Sequence, residues 1–252
     1  MSALVRAELL KMRTVALPGW LLLTTLAFVL LSVLLTILTA GMPNAPLQRD
    51  DPQMLARAVA SASAGNTLVL VLGILTLTQE FRFGTATPSF LVSPRRSHVL
   101  SAKLVAVSLA GLVFALLSVV FALAVSAVTI AARGDTLTFD RTVVEVLLGV
   151  GLCLLLYGPI GVGVGALIRN QIAAVVAALV WTFVVEQLLV GLLPEVGRWT
   201  PGGAASAVLQ LGDLATTRGT LLPVWAGALL LVAYALVLSG VGARLTLQRD
   251  LT

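Results

Sequence analysis

The chain has 252 residues, 59% of them hydrophobic and 11% charged, and a mean hydropathy of +1.06. That is far more apolar than the usual half of a water-soluble domain, so the solvent these residues match is lipid. A spanning helix takes roughly 20 apolar residues, which allows a handful of spans with short loops and leaves no room for a soluble catalytic domain. The formal net charge of +5 comes from basic residues scattered between apolar runs, so their placement about a membrane accounts for it better than nucleic-acid binding does.

From the N-terminus, residues 3–14 draw as a helix with Val5, Leu9 and Met12 on one stripe and Arg6 and Arg13 opposite. Two readings stand: a helix lying along the inner membrane surface, or a charged flank that fixes orientation. Arg6, Glu8, Lys11 and Arg13 ahead of an apolar run also resemble a signal peptide, but the run 17–40 is too long for one and reads as a retained first span. Six spans are predicted, at about 17–41, 64–80, 104–132, 143–167, 171–193 and 221–245, in a single all-α membrane domain over 1–252. The third is too long for one crossing, so it projects into water or kinks. Pro43, Pro46, Asp50, Asp51 and Pro52 mark an irregular turn before a short helix leading into the second span. Only the neighbourhood of Ile168, Arg169 and Asn170 joins the fourth span to the fifth, which demands a tight hairpin.

With both termini inside, ten Lys and Arg fall in inner segments and six in outer ones, the bias expected when both termini are cytoplasmic. The inner loop after the second span carries Glu80, Arg82, Gly84, Thr85, Arg95 and Arg96 and ends near Lys103. Thr87 with Pro88, and Ser93 with Pro94, each set a capping hydroxyl before a proline at the first helical position, predicting a short helix, a break and a long helix into the third span. Arg95 and Arg96 in a first turn oppose the helix dipole, so lipid headgroups, topology or acidic groups on a cytoplasmic partner must favour them.

Cys153, the single cysteine, reads as a small core residue. Gly161, Gly163 and Ala166 fit a dinucleotide-fingerprint spacing, but they end an apolar span with no preceding strand. Gly161 and Gly165, four apart, instead predict close helix packing near a kink at Pro159. Glu186 is the one acidic residue well within a span; it either serves a functional path or reaches an interface or a helix–helix hydrogen bond. The outer segment 194–220, with Trp199, Pro201, Gly202 and Gly203, is too long for a simple turn and suits a pair of short re-entrant helices.

No G-x-x-x-x-G-K-[ST] phosphate loop is present, so the chain is not expected to bind ATP. His98, the single histidine, falls in a loop, and zinc sites within membranes need several ligands, so neither a metal site nor an intramembrane enzyme is expected.

Taken together, the run Ala7-Glu8-Leu9-Leu10-Lys11-Met12-Arg13-Thr14, the loop residues Glu80, Phe81, Arg82, Gly84, Thr85, Pro94, Arg95, Arg96 and Lys103, the stretch ending Ile168-Arg169-Asn170-Gln171, and the Trp181 to Glu186 span make the sequence resemble the permease subunit of bacterial ABC-2 type exporters. The resemblance implies a six-helix subunit that pairs with a second permease copy and recruits two separate ATPase chains, which would hold the ATP and Mg. It makes Glu80, Arg82, Gly84, Thr85, Arg95 and Arg96 candidates for coupling to the ATPase; Glu186, as the acid within a span, is the candidate for the substrate path. A non-transporting regulatory or immunity subunit of the membrane is the alternative, and an ion-gradient carrier is disfavoured because Glu186 is the one evident titratable group within a span.

Overall fold

A computed structural model describes residues 2–42, 47–48, 51–83, 96–168, 170–211 and 221–248; the side chains of Arg96, Ser97, Ala243 and residues 245–248 are not described. Among the described residues every regular element is helical. In chain order these are α1 (Ser2–Thr14), α2 (Ala16–Thr39), α3 (Met54–Ala60), α4 (Asn66–Arg82), α5 (Arg96–Ala132), α6 (Arg141–Leu167), α7 (Gln171–Val180), α8 (Glu186–Leu192), α9 (Pro194–Gly197), α10 (Pro201–Val208) and α11 (Val224–Gln248). A 3₁₀ turn, Ser61–Gly65, joins α3 to α4, and a π-helical turn, Trp181–Val185, joins α7 to α8.

Six stretches are long and apolar enough to cross a membrane: Ala16–Thr39, Met54–Arg82, His98–Ala132, Arg141–Leu167, Gln171–Leu192 and Val224–Gly242. The chain is a multi-pass membrane protein. Lipid offers the backbone no hydrogen-bond partners, so each span satisfies its own N–H and C=O groups as a helix. Large apolar side chains such as Leu31, Leu116, Phe183 and Leu236 lie more than half exposed on the outside of the bundle, where lipid rather than water meets them.

The boundaries differ from the sequence expectation in three places. The second span begins ten residues earlier than the predicted 64, because Met54, Leu55, Ala56, Ala58, Val59 and Ala60 are buried against α5 and α6 although Arg57 interrupts the local hydropathy. The third is one unbroken helix of 37 residues from Arg96, about 55 Å at 1.5 Å per residue, which exceeds a hydrocarbon core of roughly 30 Å and so projects beyond it. The last begins at Val224 rather than 221. The expected cap at Thr87 lies outside the described residues, as does the one at Ser93.

At the centre, α6 packs on α4, α5 and α11. The approach to α4 is set by glycine: a Cβ on Gly161 would stand 2.1 Å from the Leu70 carbonyl oxygen, and one on Gly73 2.1 Å from that of Gly158. Gly165 is nearly as close, with 3.0 Å to the Ile74 carbonyl. Pro159 lies inside α6 among these glycines, and the Ser239 hydroxyl of α11 donates to its carbonyl at 3.1 Å. Side chains start the helices where the hairpins turn. Asp140 accepts from Val143 N at 3.0 Å ahead of α6, Asn170 from Ala173 N at 3.1 Å ahead of α7, and Thr200 from Gly203 N at 3.1 Å ahead of α10.

Short though it is, α10 is buried along Gly203, Ala204, Ala205, Ala207 and Val208. Its small side chains let it wedge between α6 and α11, where Cβ atoms on Gly149 and Gly227 would meet the Val208 and Ala204 carbonyls at 2.8 and 2.7 Å.

Candidate functional site

Two constellations of buried charge stand out, one at the end of the bundle where α1 lies and one within the fifth span.

The first begins with α1. Glu8 stands three residues after Val5 and four before Met12, so on a helix it shares their stripe. In the fold Val5, Leu9 and Met12 are half-buried, Arg6 and Arg13 are exposed, and Glu8 is buried. Its partner comes from α5: Lys103, 1% exposed, donates to Glu8 Oε2 at 2.6 Å, to Glu80 Oε1 at 3.0 Å and to the Thr76 carbonyl at 3.1 Å. These three bonds use all three protons of the ammonium. Lys11, one turn along from Glu8, donates to Glu8 Oε1 at 2.7 Å and to Glu80 Oε1 at 3.1 Å. Two carboxylates and two ammonium groups thus close on one another and sum to zero charge. Burial by itself would push the Glu8 carboxyl up, but Lys103 and then Lys11 outweigh it and hold Glu8 below the ordinary carboxylate value. Burial would likewise lower Lys11, and the Glu8 and Glu80 carboxylates hold it above the ordinary lysine value.

Of the six loop residues singled out in the sequence, Glu80 therefore has its carboxylate committed within the chain and is 7% exposed. Arg82 is exposed, donates to Gln171 Oε1 at 3.3 Å and lies over the Phe83 ring at 5.4 Å. That bond ties the end of α4 to the start of α7. Gly84, Thr85 and Arg95 lie outside the described residues; Arg96 opens α5 without a described side chain. Lys103 was legible as an inner charge and as the last residue of the loop that carries the resemblance, but not as a buried one, although its position at the start of an apolar run is where an uncompensated ammonium is costly and needs a partner.

The second constellation centres on Glu186. The π-helical turn Trp181–Val185 has no buried residue, and Glu186 directly after it is the one buried residue of α8. A π turn adds a residue to the helical repeat and re-aims the side chain that follows, a feature frequent at functional sites. The carboxylate is 4% exposed and accepts from Gly202 N at 2.5 Å, at the first turn of α10, with Thr200 beside it. A Cβ on Gly202 would stand 2.7 Å from the carboxyl carbon, so any larger residue there would push the carboxylate aside. Among the described residues no Lys or Arg pairs with Glu186.

Below Glu186 a cleft of about 330 Å³ follows α6 from Tyr157 to Ile168, closed by Trp181 of the π turn, by Tyr234 and Leu238 of α11 and, above, by Pro201. The ten steps from Tyr157 to Leu167, the last residue of α6, correspond to about 15 Å. The cleft thus runs from the end of the bundle that carries α1 and the α6–α7 hairpin up to the carboxylate.

Comparison with protein-family models and with curated proteins finds no match for this chain.

Proposed function

We propose that this chain is the transmembrane permease subunit of an ATP-driven ABC exporter of the ABC-2 type, in a bacterial plasma membrane with both termini in the cytoplasm. It forms the substrate path as a dimer with a second permease copy, and two separate ATPase chains bind the ATP and Mg that drive it. It hydrolyses nothing itself.

The observation that carries this reading is the four-charge cluster. It ties α1 at once to the end of α4 and the start of α5, the helices joined by segment 84–95. A force applied to that segment from the cytoplasm therefore reaches α1, α4 and α5 as one unit, because separating them would strand a buried charge. With its half-buried stripe and exposed arginines, α1 suits the membrane interface. The short helices α9 and α10 suit a re-entrant pair before the last span, tolerated because α6 and α11 surround α10. The cleft below Glu186 is the stretch of substrate path within one subunit.

If a phosphate-loop ATPase is encoded beside this chain, co-expression of the two tests the reading. A complex of two permease and two ATPase chains is expected, with ATP-dependent export in vesicles that Arg95→Glu with Arg96→Glu abolishes. Absence of a complex, together with export unaffected by the double substitution, would overturn it. A complex that never transports would favour the regulatory or immunity subunit.

A further inference from the structure

In lipid an ionisable side chain within a span is held by a counter-charge, by water or by a ligand. The α1 end of this chain shows the first solution, since each carboxylate there meets an ammonium of the same chain. Glu186 has none among the described residues; what it has is one backbone donor, a neighbouring hydroxyl and an open cleft. The walls of that cleft are mainly aliphatic and aromatic, and among the described residues Glu186 is the one charged group that lines it. Three of its rings, Tyr157, Trp181 and Tyr234, come from three different elements and surround the volume below the carboxylate. Aromatic faces attract a desolvated organic cation at distances within about 6 Å, and the attraction grows where water is excluded. A volume of about 330 Å³ sits at the small end of ligand pockets.

We infer that this cleft binds an amphiphilic organic monocation, a quaternary ammonium or phosphonium with an apolar body, its charge against Glu186 and its body among Tyr157, Trp181 and Tyr234. A single carboxylate matches one positive charge and offers too few ligands for a metal ion. The same carboxylate repels anions, and purely neutral hydrocarbons would leave it uncompensated. The occupant's charge lies against the carboxylate that accepts from Gly202 N at the first turn of α10, the short helix that closes the cleft above. The inference deepens the exporter reading by naming the substrate class of its path, and that role rests on it; binding itself needs neither ATP nor a partner.

The experiment uses the full chain in nanodiscs of zwitterionic lipid with radiolabelled tetraphenylphosphonium as probe. Saturable binding is expected, weakened about tenfold or more by Glu186→Gln, which keeps the shape and removes the charge. Ala178→Phe, which fills the cleft and leaves the carboxylate, should weaken it by a similar factor, and this variant decides the matter if the first fails to fold. Tetraphenylborate, of the same shape and opposite charge, should not displace the probe. Binding unchanged in both variants, or displacement by the anion as effective as by a cation, overturns the inference. Charge-dependent binding without ATP-driven export in the reconstituted complex would sink the exporter reading alone. Export that proceeds with no such binding would sink this inference alone.

Discussion

The two buried carboxylate systems of this chain are built on opposite plans. At the α1 end, Glu8 and Glu80 share Lys11 and Lys103, the charges cancel, and every proton of the Lys103 ammonium is already donated. Within the fifth span, Glu186 faces an apolar cleft with a single backbone amide as its nearest donor. The neutral set of charges also lines a cavity, of about 440 Å³, but its members are bonded to one another, so it resists being pulled apart and offers a ligand no net charge. A lone carboxylate beside a cavity does the reverse: it adds little cohesion and leaves a charge that an incoming group can satisfy. The comparison separates a clamp from a receptor, although both look alike in a list of buried acidic residues.

The largest loss is expected on removing the central cation. Lys103→Met keeps the volume of the side chain but leaves Glu8 and Glu80 with Lys11 alone, and should cost about 3–5 kcal/mol in equilibrium unfolding in mixed micelles. A loss below about 1 kcal/mol would mean that the cluster is no clamp. The same measurement on Glu186→Gln should show a far smaller loss, about 1 kcal/mol, because the amide oxygen still accepts from Gly202 N. If the two substitutions cost the same, Glu186 is a structural cap and the distinction disappears.

The smallest effect expected is in pH. Glu8 is held below its ordinary value of 4.5, so its contribution is fully present above that pH and is lost as pH falls through the depressed value. Lys11 is held above 10.5, so its contribution is fully present below that pH and is lost as pH rises through the raised value. Protection of α1 against proteolysis should therefore be flat between about pH 4.5 and 10.5 and decline on both sides. A step near neutral pH would show that another titrating group governs the docking of α1.

Much of this was legible from local pattern and part was not. The stripe of Val5, Leu9 and Met12 already contained Glu8, one turn apart on the same face, yet nothing local says that a lysine 95 residues away receives it. The spacing of Gly161 and Gly165 pointed to close approach, but the partners Leu70 and Ile74, and the matching Gly73, emerge only once α4 lies against α6. Glu186 drew notice as a lone acid in a span. Its aim into the cleft depends on the π turn before it, and its donor comes from Gly202, sixteen residues further on.

The sequence alone determined that the chain is a bundle of six membrane helices, because in lipid each span must satisfy its own backbone and the needed apolar length can be read within one window of residues. It did not determine where the second span begins, since Arg57 and the serines of the 3₁₀ turn depress the local hydropathy while α5 and α6 bury the segment regardless. Nor did it determine which buried acid is clamped and which is left open. That choice was made by tertiary structure, because an ion pair depends on the distance between side chains on different helices, and no window along the chain contains that distance.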